Sequence, residues 1–271
     1  MSNNEFLELS EKAKNIRKEI LKLTYSASSG HPGGSLSIVE LLTVLYFLEM
    51  RINPLETKDN DRDRFVLSKG HAAPALYATL KERGFLEESD MEGFRQVQGL
   101  LQGHPDMKKI PGIDMSTGSL GQGISAAVGM ALSGKIDNKD YRVYSILGDG
   151  EIAEGQVWEA AMAANHYKLD NLCIIVDNNN LQIDGEIGKV MNSYPIDEKF
   201  KAFGFNVINI DGHDYSQIIY ALNNAKMCKD KPTAIIAKTI KGKGISFMEN
   251  QVGWHGKAPN KEQYDLAISE I

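Results

Sequence analysis

RVYSILGDGEIAEGQVWEAAMAANHYKLDNLCIIVDNNNL, residues 142–181, holds the pattern from which the fold follows. Two short apolar runs, RVYSILG (142–148) and NLCIIVDN (171–178), read as buried strands. A helical pattern over 154–167 lies between them. Strand, helix and strand at this spacing make a βαβ unit, whose strands run parallel. The same grammar extends outward. RFVLS (64–68), FNVINID (205–211) and TAIIAKT (233–239) read as further strands, with helical patterns over 71–83, 120–133, 197–203 and 215–227. The expected fold class is α/β, a doubly wound parallel sheet with helices on both faces.

The chain opens on an amphipathic helix, with Phe6, Leu9, Ala13, Ile16, Ile20 and Leu23 at helical spacing. SSGHPGGS breaks it. Ser37 then caps a second helix, IVELLTVLYFLEM, with Glu40 completing a capping box, and Asn53-Pro54 closes that stretch. Residues 1–271 read as one domain with a C-terminal extension from about 240, made of a glycine-rich stretch (241–256) and a helical pattern (261–271). Long irregular pieces in compact domains are often functional.

Composition narrows the possibilities. Hydrophobic residues make up 42% of the 271, enough for a substantial core, and the net charge is −6. That charge speaks against nucleic acid and against a polybasic membrane anchor, both of which need a basic face. No apolar stretch reaches membrane-spanning length, and the polar start is no signal peptide. Cys173 and Cys228 stand far apart with no CxxC pair, so neither a zinc site nor a disulfide framework is expected. Cys173, in an apolar run, reads as a small buried hydrophobe, and the expected compartment is the reducing cytoplasm.

Ligands of such folds bind beyond the carboxyl ends of the strands. There, Gly148-Asp149-Gly150-Glu151 follows one strand and Asn178-Asn179-Asn180-Leu181 the next, with Asn179 thirty residues after Asp149. Each alone is a common turn. Together they place a carboxylate, an amide oxygen and a backbone carbonyl at one edge of adjacent strands. These are hard oxygen ligands of the kind Mg²⁺ takes while completing its shell with phosphate oxygens and water. Glycines that allow close backbone approach and a following helix N-terminus suit a diphosphate.

GDG followed about thirty residues later by Asn resembles the binding motif of thiamine diphosphate enzymes. The resemblance implies that Asp149, Asn179 and the Leu181 carbonyl hold Mg²⁺, with Ca²⁺ or Mn²⁺ as alternatives, and that Gly150 donates its N–H to the diphosphate. Four of the six histidines stand beside glycine in motifs of one kind: SGHPGG (His31), LSKGHAAPALYA (His71), QGHPDM (His104) and WHGKAP (His255). With STGSLGQGISAAVGMA (116–131) and KTIKGKGISFMENQVGWHGKAP (238–259), these resemble transketolase over roughly residues 5–268.

That resemblance implies roles residue by residue. His71 and His255 reach the diphosphate, and Lys69 and Lys241 offset its charge. Gly118, Ser119 and Leu120 line the thiamine, and Ile183 supports the bent cofactor. His31, His104 and His255 surround a sugar, where imidazole suits proton transfer near neutral pH. Glu154 lies at a subunit interface near the acid that activates the cofactor. His166 reads as a packing residue, and His213 as part of a turn whose Asp214 caps the next helix.

A full transketolase is more than twice this long, and nothing here replaces the pyrimidine-binding and third domains. The expectation is a natural N-terminal subunit with a complete-looking end and an ordinary Met1, joined by a C-terminal partner as α₂β₂. It would pass a two-carbon ketol group from a ketose phosphate to an aldose phosphate. The alternatives are a transketolase-like enzyme with an unusual sugar donor or acceptor, another thiamine enzyme such as deoxyxylulose phosphate synthase or the α chain of a 2-oxo acid dehydrogenase, and a non-catalytic thiamine diphosphate-binding subunit. A plain dinucleotide-binding domain does not fit, since SKGHAAP rather than GxGxxG follows the first strand.

Overall fold

The apolar runs become strands β1 (Arg64–Leu67), β2 (Val143–Gly148), β3 (Leu172–Asn178), β6 (Asn206–Asp211) and β7 (Thr233–Lys238). They pair in parallel in the order β1-β2-β3-β7-β6, in a computed structural model that describes residues 3–271. Met1, expected to be an ordinary start, lies outside the described residues.

Successive side chains of a strand point to opposite faces, and two cores result. Ile146, Ile175 and Ile235 face helices α1 (Asn3–Ser26), α3 (Val39–Val44), α4 (Ala73–Arg83) and α9 (Tyr215–Met227). Leu147, Ile174 and Ile236 face α5 (Gln122–Ile136), α6 (Gly155–His166) and α8 (Ile196–Ala202). The sheet is therefore covered on both sides, as expected, and its central strands are mostly apolar because neither face meets water. Each fully buried aliphatic side chain contributes about 1.5–3 kcal/mol. Short α2 (Pro32–Leu36) starts with Pro32 at its first position, where a missing N–H costs nothing. α10 (Lys261–Glu270) packs on α1. No helix among the described residues is long and apolar enough to cross a membrane.

Three elements escape sequence patterns because they are too short for one: α2, inside the stretch read as a helix break, the hairpin β4–β5 (Leu181–Gln182 and Gly185–Glu186) and the single turn α7 (Ile187–Val190). One expectation is corrected. Ser37 and Glu40 form no capping box: Ile38 occupies the N-cap of α3, and no side chain caps it. The chain arrives there already turning, since α2 ends at Ser37 in a helical conformation. Ser37 Oγ is instead drawn to the Asp177 carboxylate at 2.7 Å, and Glu40 to Arg17 and His213. Asp214 does cap α9, accepting from Ser216 N at 2.8 Å and Gln217 N at 3.2 Å.

The register matters for function. Gly148 pairs with Asp177, and Asn178 with Lys238. The ends of β2, β3 and β7 are thus level, and the loops leaving them converge.

Candidate active site

A cavity of about 270 Å³ opens where those loops meet. It is lined by His31, Lys69, His71, Asp149, Asn179, Lys241 and His255, with Gly118, Leu120, Gly150, Leu181 and Ile183. Every candidate residue is brought to it except three. Ser119 faces a neighbouring recess that shares Gly118. His104 packs against Gly118, where an added Cβ would stand 3.3 Å from its ring. Glu154 is an exposed residue at the N-cap of α6. A wider groove of about 820 Å³ runs alongside, lined by residues at the ends of β3, β7 and β6, and holds none of the histidines.

At the floor, Asp149 follows β2 directly. Its carboxylate accepts from Asn180 N at 2.5 Å and Gly150 N at 2.9 Å. Burial first, and then the nearby Asp177 charge, raise its pKa to about 7. No lysine or arginine among the described residues forms an ion pair with it. Asn179 Oδ1 accepts from Leu181 N at 3.1 Å, and the Leu181 carbonyl from Lys241 Nζ at 3.3 Å. Both oxygens keep a second lone pair. A buried carboxylate with no cation at ion-pair distance, beside an amide oxygen and a carbonyl, fits a hard divalent cation. Among the described residues no group of three or more His, Cys, Asp or Glu could hold a metal, so such a cation would share its shell with phosphate oxygens or water.

Two lysines differ in their freedom. Lys69 Nζ is held by the Asp177 carboxylate at 2.6 Å and the Gly34 carbonyl at 2.7 Å. Lys241 has no carboxylate partner at ion-pair distance among the described residues. Burial and then the Lys69 charge lower its pKa to about 8, so it is a buried cation available to an anion.

Three imidazoles form the wall, with ring centroids 5.1 Å apart for His31 and His71, 5.5 Å for His31 and His255, and 5.3 Å for His71 and His255. Burial is the main cause that lowers their pKa values, to about 4 for His31, 2 for His71 and 3 for His255. Lys69 adds to it at His71, and Lys241 at His255. All three are neutral at pH 7, each able to donate and accept a proton. Lys241 Nζ lies 2.8 Å from His255 Nδ1, and His31 Nδ1 is buried without a partner.

Some of the construction was not legible in the sequence. Asp177, wholly buried at the end of β3, gathers Ser37, Lys69, Asn179 and Thr239 around its carboxylate. Glu151, also buried, accepts from Ser68 Oγ, Gly121 N and Gly148 N, tying β1, β2 and the start of α5 together. His213 does more than turn the chain: it contacts Glu40 and accepts from Ile240 N. His166, expected to pack, is exposed at the end of α6, edge-on to Tyr167, because the helix turns that position to solvent. Cys173 is buried as expected, and burial pushes its thiol up to about 12.

The sequence family described as "Transketolase, thiamine diphosphate binding domain" matches residues 10–268. The chain is 43% identical over 255 residues to a protein of Phocaeicola vulgatus named as a subunit of apulose-4-phosphate transketolase, covering 94% of this chain and 90% of that one. It is 44% identical over 265 residues to "6-deoxy-6-sulfo-D-fructose transketolase subunit SqwG" of Clostridium sp., covering 98% and 96%. Among solved structures, transketolase from Campylobacter jejuni superposes with a TM-score of 0.90 at 34% identity, covering all of this chain but 43% of that one.

Proposed function

The chain belongs to the transketolase family, in its thiamine diphosphate-binding domain, and from that premise we propose that it is the diphosphate-binding subunit of a two-chain transketolase. The enzyme moves a two-carbon ketol group from a ketose phosphate to an aldose phosphate with thiamine diphosphate and Mg²⁺. The observation that carries the reading is the convergence on one cavity of the Asp149, Asn179 and Leu181 oxygens, a buried Lys241 and three mutually touching histidines.

When bound, thiamine diphosphate supplies a nucleophilic carbon and an electron sink. This chain's own residues bind, orient and move protons. Asp149, Asn179 and the Leu181 carbonyl hold the cation. Lys241 and the Gly150 N–H meet the diphosphate, with Lys69 placing positive charge behind it. His71 and His255 reach the diphosphate, and Ile183 at the hairpin tip offers the apolar contact for the ring. His31, His104 and His255, with neutral rings at His31 and His255, exchange protons with sugar hydroxyls. Gly118 and Leu120 line the thiamine, with Ser119 beside them. Exposed Glu154 at the start of α6 is assigned to a subunit interface.

Similarity along nearly the full length of proteins named as subunits, against 43% of the Campylobacter transketolase, supports a second chain that carries the remainder, in an α₂β₂ assembly. The sugar is the open part. The two relatives are named for apulose 4-phosphate and 6-deoxy-6-sulfo-D-fructose, which supports an anionic sugar outside the common pentose phosphates as an alternative substrate here. The cytoplasm is the proposed compartment, supported by two unpaired cysteines.

The test is ketol transfer by the chain with its co-purified second chain, from xylulose 5-phosphate and from the two sugars just named. Activity that requires both chains, thiamine diphosphate and Mg²⁺, and is lost in Asp149→Ala, is the expected result. A complex that binds no thiamine diphosphate would overturn the proposal.

A further inference from the structure

A charged network lies away from the cavity and is not accounted for by the roles above. Arg17 on α1, Glu40 on α3 and His213 in the β6–α9 turn are all largely buried. Arg17 Nη2 donates to Glu40 Oε1, and His213 Nδ1 stands 2.9 Å from Glu40 Oε2. None of the three lines the cavity. Burying charge is costly, and such groups stabilise a fold less than apolar residues of the same size would.

What the network touches points to its role. His213 Nε2 accepts from Ile240 N at 2.9 Å, so the imidazole carries its proton on Nδ1 and donates it to Glu40. Arg17 Nε donates to the Lys243 carbonyl at 3.2 Å. The two ends of the network thus grip the chain on either side of Lys241. The segment between them has no regular secondary structure, and Gly242 within it and Gly244 just after it have φ of 79° and 93°. Left alone, it would have many conformations to choose from.

We infer that Arg17, Glu40 and His213 are positioning residues that hold residues 240–243 so that the Lys241 ammonium projects into the cavity. Glu40 is the keystone. Its two oxygens orient the guanidinium and the imidazole at once, and fix the tautomer that leaves Nε2 free to accept. Lys241 then reaches the Leu181 carbonyl and His255 from a backbone held at both ends. The importance of Lys241 to cofactor binding rests on the function proposed above; the grip on the segment does not.

Amide hydrogen exchange of the full chain, read by mass spectrometry, tests the grip without cofactor. His213→Phe keeps an aromatic ring but removes the acceptor. His213→Gln offers an amide oxygen that can take the Ile240 N–H. In His213→Phe, peptides spanning 239–244 should exchange about tenfold faster or more. In His213→Gln they should stay near wild type, and β2 and β3 should be unchanged in both. Unchanged exchange at 239–244 in His213→Phe, or acceleration spread evenly over the chain, overturns the inference. Arg17→Met, which frees the Lys243 end and leaves Glu40 with His213 alone, serves if His213→Phe does not fold. The action through Lys241 is read from a double-mutant cycle on thiamine diphosphate affinity of the two-chain complex. His213→Phe should weaken binding about tenfold beside Lys241 and have little effect in a Lys241→Met background. Additive losses overturn that route. Wild-type complex that binds no thiamine diphosphate while 239–244 is protected counts against the proposed function alone.

Discussion

Replacing Asp177 by Asn changes one atom and should cost several kcal/mol. Its Oδ2 accepts from Lys69 Nζ at 2.6 Å, Ser37 Oγ at 2.7 Å and Asn179 Nδ2 at 3.1 Å, and its Oδ1 from the Thr239 hydroxyl. Burial pushes this carboxyl up, but the Lys69 charge and the hydrogen bonds outweigh it and hold the carboxyl below its ordinary range. The least harmful amide orientation turns NH₂ toward Thr239, whose hydroxyl can rotate to accept. The hydrogen bonds then survive, and what is lost is the counter-charge of Lys69, a side chain only 2% exposed. Two unit charges 2.6 Å apart attract by about 6 kcal/mol at an effective dielectric constant of 20. Partial relaxation brings the expected cost to about 3–5 kcal/mol, the range for a broken buried pair. With a urea slope of about 3 kcal/mol per molar, the unfolding midpoint followed by circular dichroism falls by about 1–1.7 M. Adding Lys69→Met removes the stranded charge and should restore most of the loss. A midpoint for Asp177→Asn within about 0.3 M of wild type, about 1 kcal/mol at that slope, would refute the electrostatic account. So would a double variant less stable than the single one.

Further outcomes follow from the glycines and histidines. A Cβ on Gly70 would stand 2.7 Å from Thr117 Oγ1 and 2.9 Å from Gly118 N. Gly70→Ala should therefore lose about 1–3 kcal/mol by overpacking, read as a lower melting midpoint. Gly129, in the exposed middle of α5, has nothing within 4 Å of an added Cβ, and Gly129→Ala should gain about 0.5–1 kcal/mol from helix propensity; no gain would mean that the helix is strained there. The low folded-state pKa values of His31, His71 and His255 make the unfolded chain the better proton binder below the ordinary imidazole value of 6.5. Their contribution to stability is complete above about pH 7 and is lost progressively as the pH falls, to about 4 for His31, 3 for His255 and 2 for His71. Asp149, with its pKa raised to about 7, works in the opposite sense. The comparison is therefore between wild type and His71→Asn: the melting midpoint should fall less between pH 7 and 5 in the variant, and an equal fall would show that His71 is not buried neutral.

The five parallel strands were legible because each central strand, apolar on both sides, is a short uninterrupted run such as CIIV or AIIA, and runs of that kind are local. That Asp149 and Asn179 come together was legible because one helix plus one strand sets their spacing and puts both at the ends of adjacent strands. The supports were not. Asp177 reads as the polar end of a strand, and its partners come from positions 37, 69, 179 and 239. Glu40 carries a false local signal, since Ser37 three residues before it imitates a capping box, while its true partners stand at 17 and 213. Long-range pairing of buried charge leaves no periodic trace. Glu151 sat inside the quoted motif without a role for the same reason: its work is to receive N–H groups from Gly121 and Gly148.

The strand order has a consequence for how the molecule comes into being. β7 is the last strand of the sheet to be synthesised, yet it lies between β3 and β6, and both of those leave an edge open until it arrives. The first pairing, Arg64 with Val143, already joins residues far apart in the chain, and Cys173 must wait for Thr233. A nascent chain on the ribosome cannot close this sheet early. It carries unpaired apolar strands until nearly all of it has emerged, which makes folding slow and dependent on non-local contacts. The same late strand leads directly into the segment that bears Lys241, so the cavity and the sheet are finished together. A chain stopped short of β7 would present two open strand edges to its neighbours, and its expected fate is aggregation rather than a smaller folded domain.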